Sequence, residues 1–196
     1  MRLESREVVG MPERRWRALL SEIRAVQTEI MRTAPYRDAG LVPNPGASMA
    51  TIEQAERRIG RPLPLSYREF LTEHNGWPRF FEGASLLSAA SLGRRSYEEL
   101  ARAACDAAET PVPDLGPPSQ WTETSRHLIP FGIDRQATTL FAFNPIVVRH
   151  DGEYEVIAWV NELGLRSDSF ESFLELVLEL CRADLPLSAT PALKSA

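Results

Sequence analysis

This chain has few of the residues that most often carry chemistry. It contains two cysteines, three histidines and, among its basic residues, a single lysine, Lys194, in 196 residues. Two cysteines cannot build a disulfide framework. Cys105 and Cys181 fall on or beside the apolar stripes of expected helices, so they read as buried free thiols, which suits a reducing cytoplasm. A metal centre needs three or four ligands at close spacing, and no such cluster occurs. Gly-x-Ser-x-Gly, His-Glu-x-x-His and the phosphate-binding loop are all missing. The opening stretch Met1–Glu7 lacks the apolar core of a secretory signal. Glu175 and Glu179 interrupt the most apolar run before it reaches the ~18–20 residues a membrane helix needs. The expectation is a cytoplasmic protein without cofactor or metal.

Charge narrows the class further. The net charge is −5, with 43% hydrophobic and 25% charged residues, ordinary values for a globular domain. A dedicated nucleic-acid binder would usually present a basic face. The arginine clusters Arg57, Arg58, Arg61 and Arg94, Arg95 are read as solvated helix faces, with phosphate contact as the alternative. No direct nucleic-acid partner and no membrane partner is expected.

The patterning is clearer. Pro12 to Arg32 places Trp16, Leu19, Leu20, Ile23 and Ile30 on one side of an amphipathic helix. Five prolines and glycines between Thr33 and Ala47 mark a linker, giving an N-terminal helix and linker over 1–47, a main domain over 48–183 and a flexible tail over 184–196. In the main domain, Ile52, Ala55 and Ile59 make a helical stripe closed by Gly60, where a left-handed residue ends a helix. Pro64 then suits the start of a second helix, whose stripe is Leu63, Tyr67, Phe70, Leu71 and His74 and whose stop is Asn75-Gly76. The aromatic group Trp77 to Phe81 either turns inward to cap the core or faces a partner. Ser96 with Glu99 predicts a capped helix to about Ala108, followed by a proline-bearing loop from Thr110 to Arg126. From His127 the period shortens. Strands are expected at 127–131, 138–143, 146–149 and 153–160, with Asp151-Gly152 as an antiparallel hairpin turn and both sheet faces partly covered. Asp168 and Glu171 suit the cap of a closing helix carrying Phe170, Phe173, Leu174, Val177 and Cys181. Helices first, an antiparallel sheet next and a closing helix define an α+β domain.

The segment Ile52 to Gly76 also resembles a known signature. Ile52 and Glu56, then Leu63, Pro64, Tyr67, Phe70 and Leu71, then Asn75 and Gly76, are similar to the pattern of the SUKH superfamily, also called the Smi–Knr family. Ile129-Pro130-Phe131-Gly132, Leu140-Phe141-Ala142-Phe143 and Ser169-Phe170-Glu171-Ser172-Phe173-Leu174 follow in the family's order. Ile133 to Ala137 departs from the family's Gly/Asp-rich turn, which predicts a less regular hairpin there. The resemblance spans about 48–181. It implies one mixed sheet flanked by helices and no catalytic residues, because the shared motifs are structural.

It also implies a working mode. The family includes bacterial immunity proteins against secreted toxins and a fungal regulator of cell-wall synthesis. The leading expectation is a non-catalytic immunity protein that binds and neutralises a cognate protein toxin. If that toxin is a nuclease, surplus acid could steer association toward a basic cleft. A regulatory scaffold or adaptor of the same family is the alternative, and an enzyme of unrecognised type comes last. His74, His127 and His150 are the residues an enzyme would have to use; each has a simpler reading at a helix or strand end. Residues placed toward a partner are Trp77, Arg79, Phe80, Glu82, Asp114, Trp121 and Glu123. Partner identity and oligomeric state are not encoded in any motif.

Overall fold

The computed structural model describes residues 15–33, 42–109, 127–160 and 163–184. Its elements are α1 (Trp16–Thr33), α2 (Met49–Ile59), α3 (Leu65–Glu73), β1 (Trp77–Phe81), β2 (Ala84–Leu86), α4 (Arg95–Glu109), β3 (Ile129–Ile133), β4 (Thr139–Val148), β5 (Tyr154–Val160), β6 (Leu163–Ser167) and α5 (Phe170–Ala183). The strands form one sheet in the order β1-β2-β3-β4-β5-β6. Every pairing is antiparallel, so the α+β class holds, and the sheet is a simple meander rather than the mixed sheet the resemblance implies. The expected tail beyond Asp184, the loop at 110–126 and most of the linker lie outside the described residues.

Local signals act where the sequence put them. Ser48 caps α2 by accepting from the Thr51 amide, and Gly60 closes that helix at φ 79°. The Asp-Gly turn holds Gly152 at φ 82°, and Arg149 N–H donates to the Glu153 carbonyl at 2.8 Å to close the β4–β5 hairpin. Pro64 sits one place ahead of the helical residues of α3 and offers it no side-chain cap.

The missing cap comes from far along the chain. Glu153, 6% exposed, accepts from the Ser66 amide at 2.9 Å and from the Ser66 hydroxyl at 2.6 Å. A carboxylate at a helix N-terminus also meets the positive end of the helix dipole. Glu153→Ala strands two buried donors, so urea unfolding is expected to show a loss of about 2–3 kcal/mol. A midpoint equal to the parent's would mean that this carboxylate is not the cap.

One face of the sheet carries the core. Phe141, Phe143, Val156 and Phe131 meet Tyr67 and Phe70 of α3 and Phe170, Phe173 and Val177 of α5 in one buried cluster. Helix α1 packs along α5, and Trp16 and Ile23 are fully buried in the same cluster. Gln27 of α1 donates its amide to the Phe80 carbonyl, so the helix also covers backbone of the edge strand β1. Leu140, Ala142 and Ile157 point to the opposite face by alternation and are buried as well. Both faces are covered.

Several boundaries differ from the sequence expectation. Ser96 lies inside α4, whose first turn bonds back to the Arg94 carbonyl. Ser169, not Asp168, caps α5 by accepting from the Ser172 amide. The two strands expected on either side of Pro145 are one strand, β4. The ladder to β5 breaks between Asn144 and Val148, where a residue without an N–H loses no bond. Strands β1, β2 and β6 were not foreseen: β1 carries a register shift between Trp77 and Phe81, which destroys the period-two pattern, and β2 has only three residues. The 133–137 turn is bonded throughout: Asp134 accepts from Gln136 N–H, Thr138 hydroxyl and Thr139 N–H. Its irregularity is confined to Ala137 at φ 59°.

Candidate functional site

The signature residues face inward or hold turns. Tyr67 is the hub, with the rings of Phe70, Phe131, Phe143 and Phe170 centred 5.1–5.5 Å away. Its hydroxyl donates to the Leu87 carbonyl at 3.3 Å, and burial pushes the phenol far above its usual range. It stays neutral at any working pH. Ile52, Leu63 and Leu71 are buried beside it. Glu56 accepts from the Leu63 amide at 3.0 Å and so fixes the α2–α3 turn. The Asn75 side chain accepts from the Ala89 amide at 2.8 Å, tying the end of α3 to the segment after β2.

Residues placed toward a partner separate into three groups. Trp77 (2% exposed) and Phe80 (0%) are inside, so the inward reading of that aromatic group holds and neither side chain lies on the surface. The cause is the β1 register shift, which turns Trp77, Phe80 and Phe81 all toward the core. Arg79 and Glu82 are exposed on the β1–β2 hairpin. Both adopt positive φ, 49° and 47°: Arg79 at the irregularity, its N–H donating to the Ser85 hydroxyl at 2.9 Å, and Glu82 with Gly83 in the two-residue turn. Left-handed backbone at non-glycine residues is uncommon, and here it presents two opposite charges outward. Asp114, Trp121 and Glu123 lie outside the described residues.

A shallow cleft of about 210 Å³ opens beside Trp77, between α1 and the end of α3, lined by Trp16, Arg17, Leu20, Arg24, Glu73 and His74. Arg17 lies 4.6 Å above the Trp16 ring and pairs with Glu73. The volume is below the ~300–1,000 Å³ of small-molecule sites and closer to that of one or two side chains.

His74, half-buried between the Phe70 and Trp77 rings, has its pKa held below the usual imidazole range by desolvation, which outweighs the neighbouring Glu73 charge. The folded protein therefore favours neutral His74 more than the unfolded chain does. This contribution is complete above the ordinary imidazole value of 6.5 and is lost as pH falls below it. Unfolding curves from pH 7.5 to 5 are expected to fall less steeply for His74→Gln than for the parent. Parallel curves would remove desolvation as the cause. His127 and His150 are exposed.

A further surface feature was not read from the sequence. Ile146, Val147 and Val148 are 61%, 47% and 52% exposed at the end of β4, and Leu65 at the start of α3 is 45% exposed. Three successive aliphatics after an internal proline, with no polar residue between them, were the available signal. They read instead as an ordinary sheet strand.

Among the described residues no group of three or more His, Cys, Asp or Glu is placed to hold a metal ion, and no helix is long and apolar enough to cross a membrane. A signature spent on core and turns, with charged side chains such as Arg79 and Glu82 outside, defines an α+β scaffold. The chain belongs to the SMI1 / KNR4 family (SUKH-1), whose model matches residues 46–176. Membership supports an immunity or regulatory domain in general, in a family that is generally non-enzymatic. No match was found among curated proteins. Helix α1 precedes the matched segment and still contributes Trp16 and Ile23 to the core.

Proposed function

We propose that this protein is a non-catalytic immunity protein, acting in the cytoplasm, which binds and neutralises a cognate protein toxin. The observation that supports this reading is where the family signature goes. Leu63, Tyr67, Phe70 and Leu71 are buried, and Glu56 and Asn75 are engaged with backbone amides. Residues so used hold a scaffold constant, while exposed residues such as Glu82 lie on the surface that a particular partner would meet. The toxin is blocked by occlusion, with the protein covering its active site or substrate path. A nuclease is one candidate, because the net charge of −5 would favour encounter with a basic cleft.

The test is co-expression with the product of the adjacent gene in a host that this product poisons. Restored growth, together with a complex that co-purifies, is the expected result. A complex without protection would favour the regulatory scaffold of the same family. Neither complex nor protection would sink the immunity reading.

A further inference from the structure

We infer that Arg57, Arg58, Arg61, Arg94 and Arg95, where α2 meets α4, form one cationic surface that takes a short acidic segment of a partner protein. Along the chain the two arginine clusters are far apart, with α3, β1 and β2 between them. The fold closes that gap. The Arg58 guanidinium donates to the Ala89 carbonyl at 2.7 Å and to the Leu92 carbonyl at 2.9 and 3.1 Å. Gly93, at φ 66°, lies so near α2 that an added Cβ would be 3.2 Å from the Ile59 amide nitrogen. Arg94 and Arg95 therefore follow directly beside the last turn of α2, which carries Arg57 and Arg58.

All five arginines are exposed, and nearby acid does not neutralise them. Elsewhere on the surface Arg15, Arg32, Arg149, Arg166 and Arg182 each pair with a carboxylate within 3.2 Å. Here Arg94 donates to the Ala90 carbonyl at 2.6 Å, and Arg58 also bonds to carbonyls. Glu56 is taken by the Leu63 amide and Arg68. Among the described residues, Arg58, Arg61 and Arg94 are left without a carboxylate. Glu53 meets Arg57 only at 4.0 Å, and Glu99 meets Arg95 at 2.7 Å, with the two arginine side chains 69% and 88% exposed. Pairs so exposed are weak and exchange readily for an incoming carboxylate. Glu98 is the one acid in the first turn of α4. The helix ends do not alter the balance, because the C-terminus of α2 and the N-terminus of α4 carry opposite partial charges of about half a unit each.

Charge and size choose the occupant. Guanidinium groups bind carboxylates through paired, charge-assisted bonds. Arg58 is already held through Nε and Nη2, so it loses little freedom when Nη1 takes a ligand. A nucleic acid fits less well. The whole chain carries −5, and a long polyanion running past the patch meets that surplus within the ~8–10 Å over which charges act at ordinary salt. A segment of a few Asp or Glu residues ends before it does. The inference does not rest on the partner being a toxin.

The test is fluorescence anisotropy of a labelled hexaglutamate peptide titrated with the full chain. Saturable binding is expected with a Kd below about 1 mM at about 50 mM salt, weakening at least about threefold at about 200 mM. Arg61→Glu combined with Arg94→Glu raises the Kd at least about tenfold. Arg24→Glu combined with Arg182→Glu makes the same change in net charge on α1 and α5 and has a much smaller effect. Thermal melts establish that both double variants fold, and Arg61→Glu alone replaces the first if it does not. Absence of binding, binding that the patch substitutions leave unchanged, or tighter binding of labelled single-stranded DNA through the same arginines overturns the proposal. Protection against a toxin is read in a separate assay, so either idea can fail alone.

Discussion

Phe70→Ala is expected to remove about 3–5 kcal/mol of stability, the range for deleting a fully buried phenylalanine. Phe70 has no exposed surface and is in ring contact with Trp16, Tyr67, His74 and Phe170. It therefore joins α1, α3 and α5 at one point. The cavity left by alanine would be walled by aromatic rings belonging to three helices, which cannot all relax into it. For a chain of this size the loss corresponds to a fall in Tm of roughly 6–20 °C, read by calorimetry together with urea unfolding. A variant melting within a degree of the parent would show that this ring is not where the three helices meet.

Gly76→Ala is the second large effect, and its size depends on something other than the turn. The residue sits at φ 83°, where an added Cβ would lie 2.7 Å from the Leu86 carbonyl oxygen and 2.8 Å from the Ser88 amide nitrogen. Left-handed backbone costs an L-residue about 1–2 kcal/mol, and forcing two backbone segments apart adds roughly 1–3 kcal/mol. The expected total is about 2–5 kcal/mol. Gly60 supplies the comparison: its φ is 79°, and a Cβ there meets nothing within 4 Å. Gly60→Ala should therefore show the conformational part alone, about 1–2 kcal/mol. Equal losses at the two positions would mean that the β2 backbone moves aside without cost.

These two glycines also show where reading the sequence stops. Both were read as helix stops from position alone; Gly60 is the left-handed cap of α2, whereas α3 already ends at Glu73 with His74 extended as its cap, and Gly76 at φ 83° turns the chain into β1. Only the fold brings the strand after β1 against Gly76 and leaves Gly60 open, because that approach joins residues ten or more apart in the chain. The caps divide in the same way. Ser48 and its target amide are three residues apart, and so are Ser169 and Ser172, so local chemistry suffices. The cap of α3 comes from Glu153, and no local rule names an acceptor 87 residues away.

For the surface the division is sharper. Apolar periodicity marked Tyr67, Phe70, Phe170 and Phe173 as interior, since stripes of that spacing have nowhere else to go. It could not place Trp77 or Phe80 with certainty, because the register shift in β1 breaks the alternation that would have revealed them. It also treated Ile146 to Val148 as ordinary sheet residues. Hydrophobicity states a preference for burial, but whether a neighbour arrives to provide it depends on where β3 begins, and that is set by the whole sheet. The sequence by itself therefore determined the family, the α+β class, the helix stripes, the Asp-Gly hairpin and most of the core. Tertiary structure alone decided which aromatics are hidden, which carboxylate caps α3 and which aliphatics at the end of β4 stay exposed. Those three depend on contacts between distant segments, whose geometry no short window of residues contains.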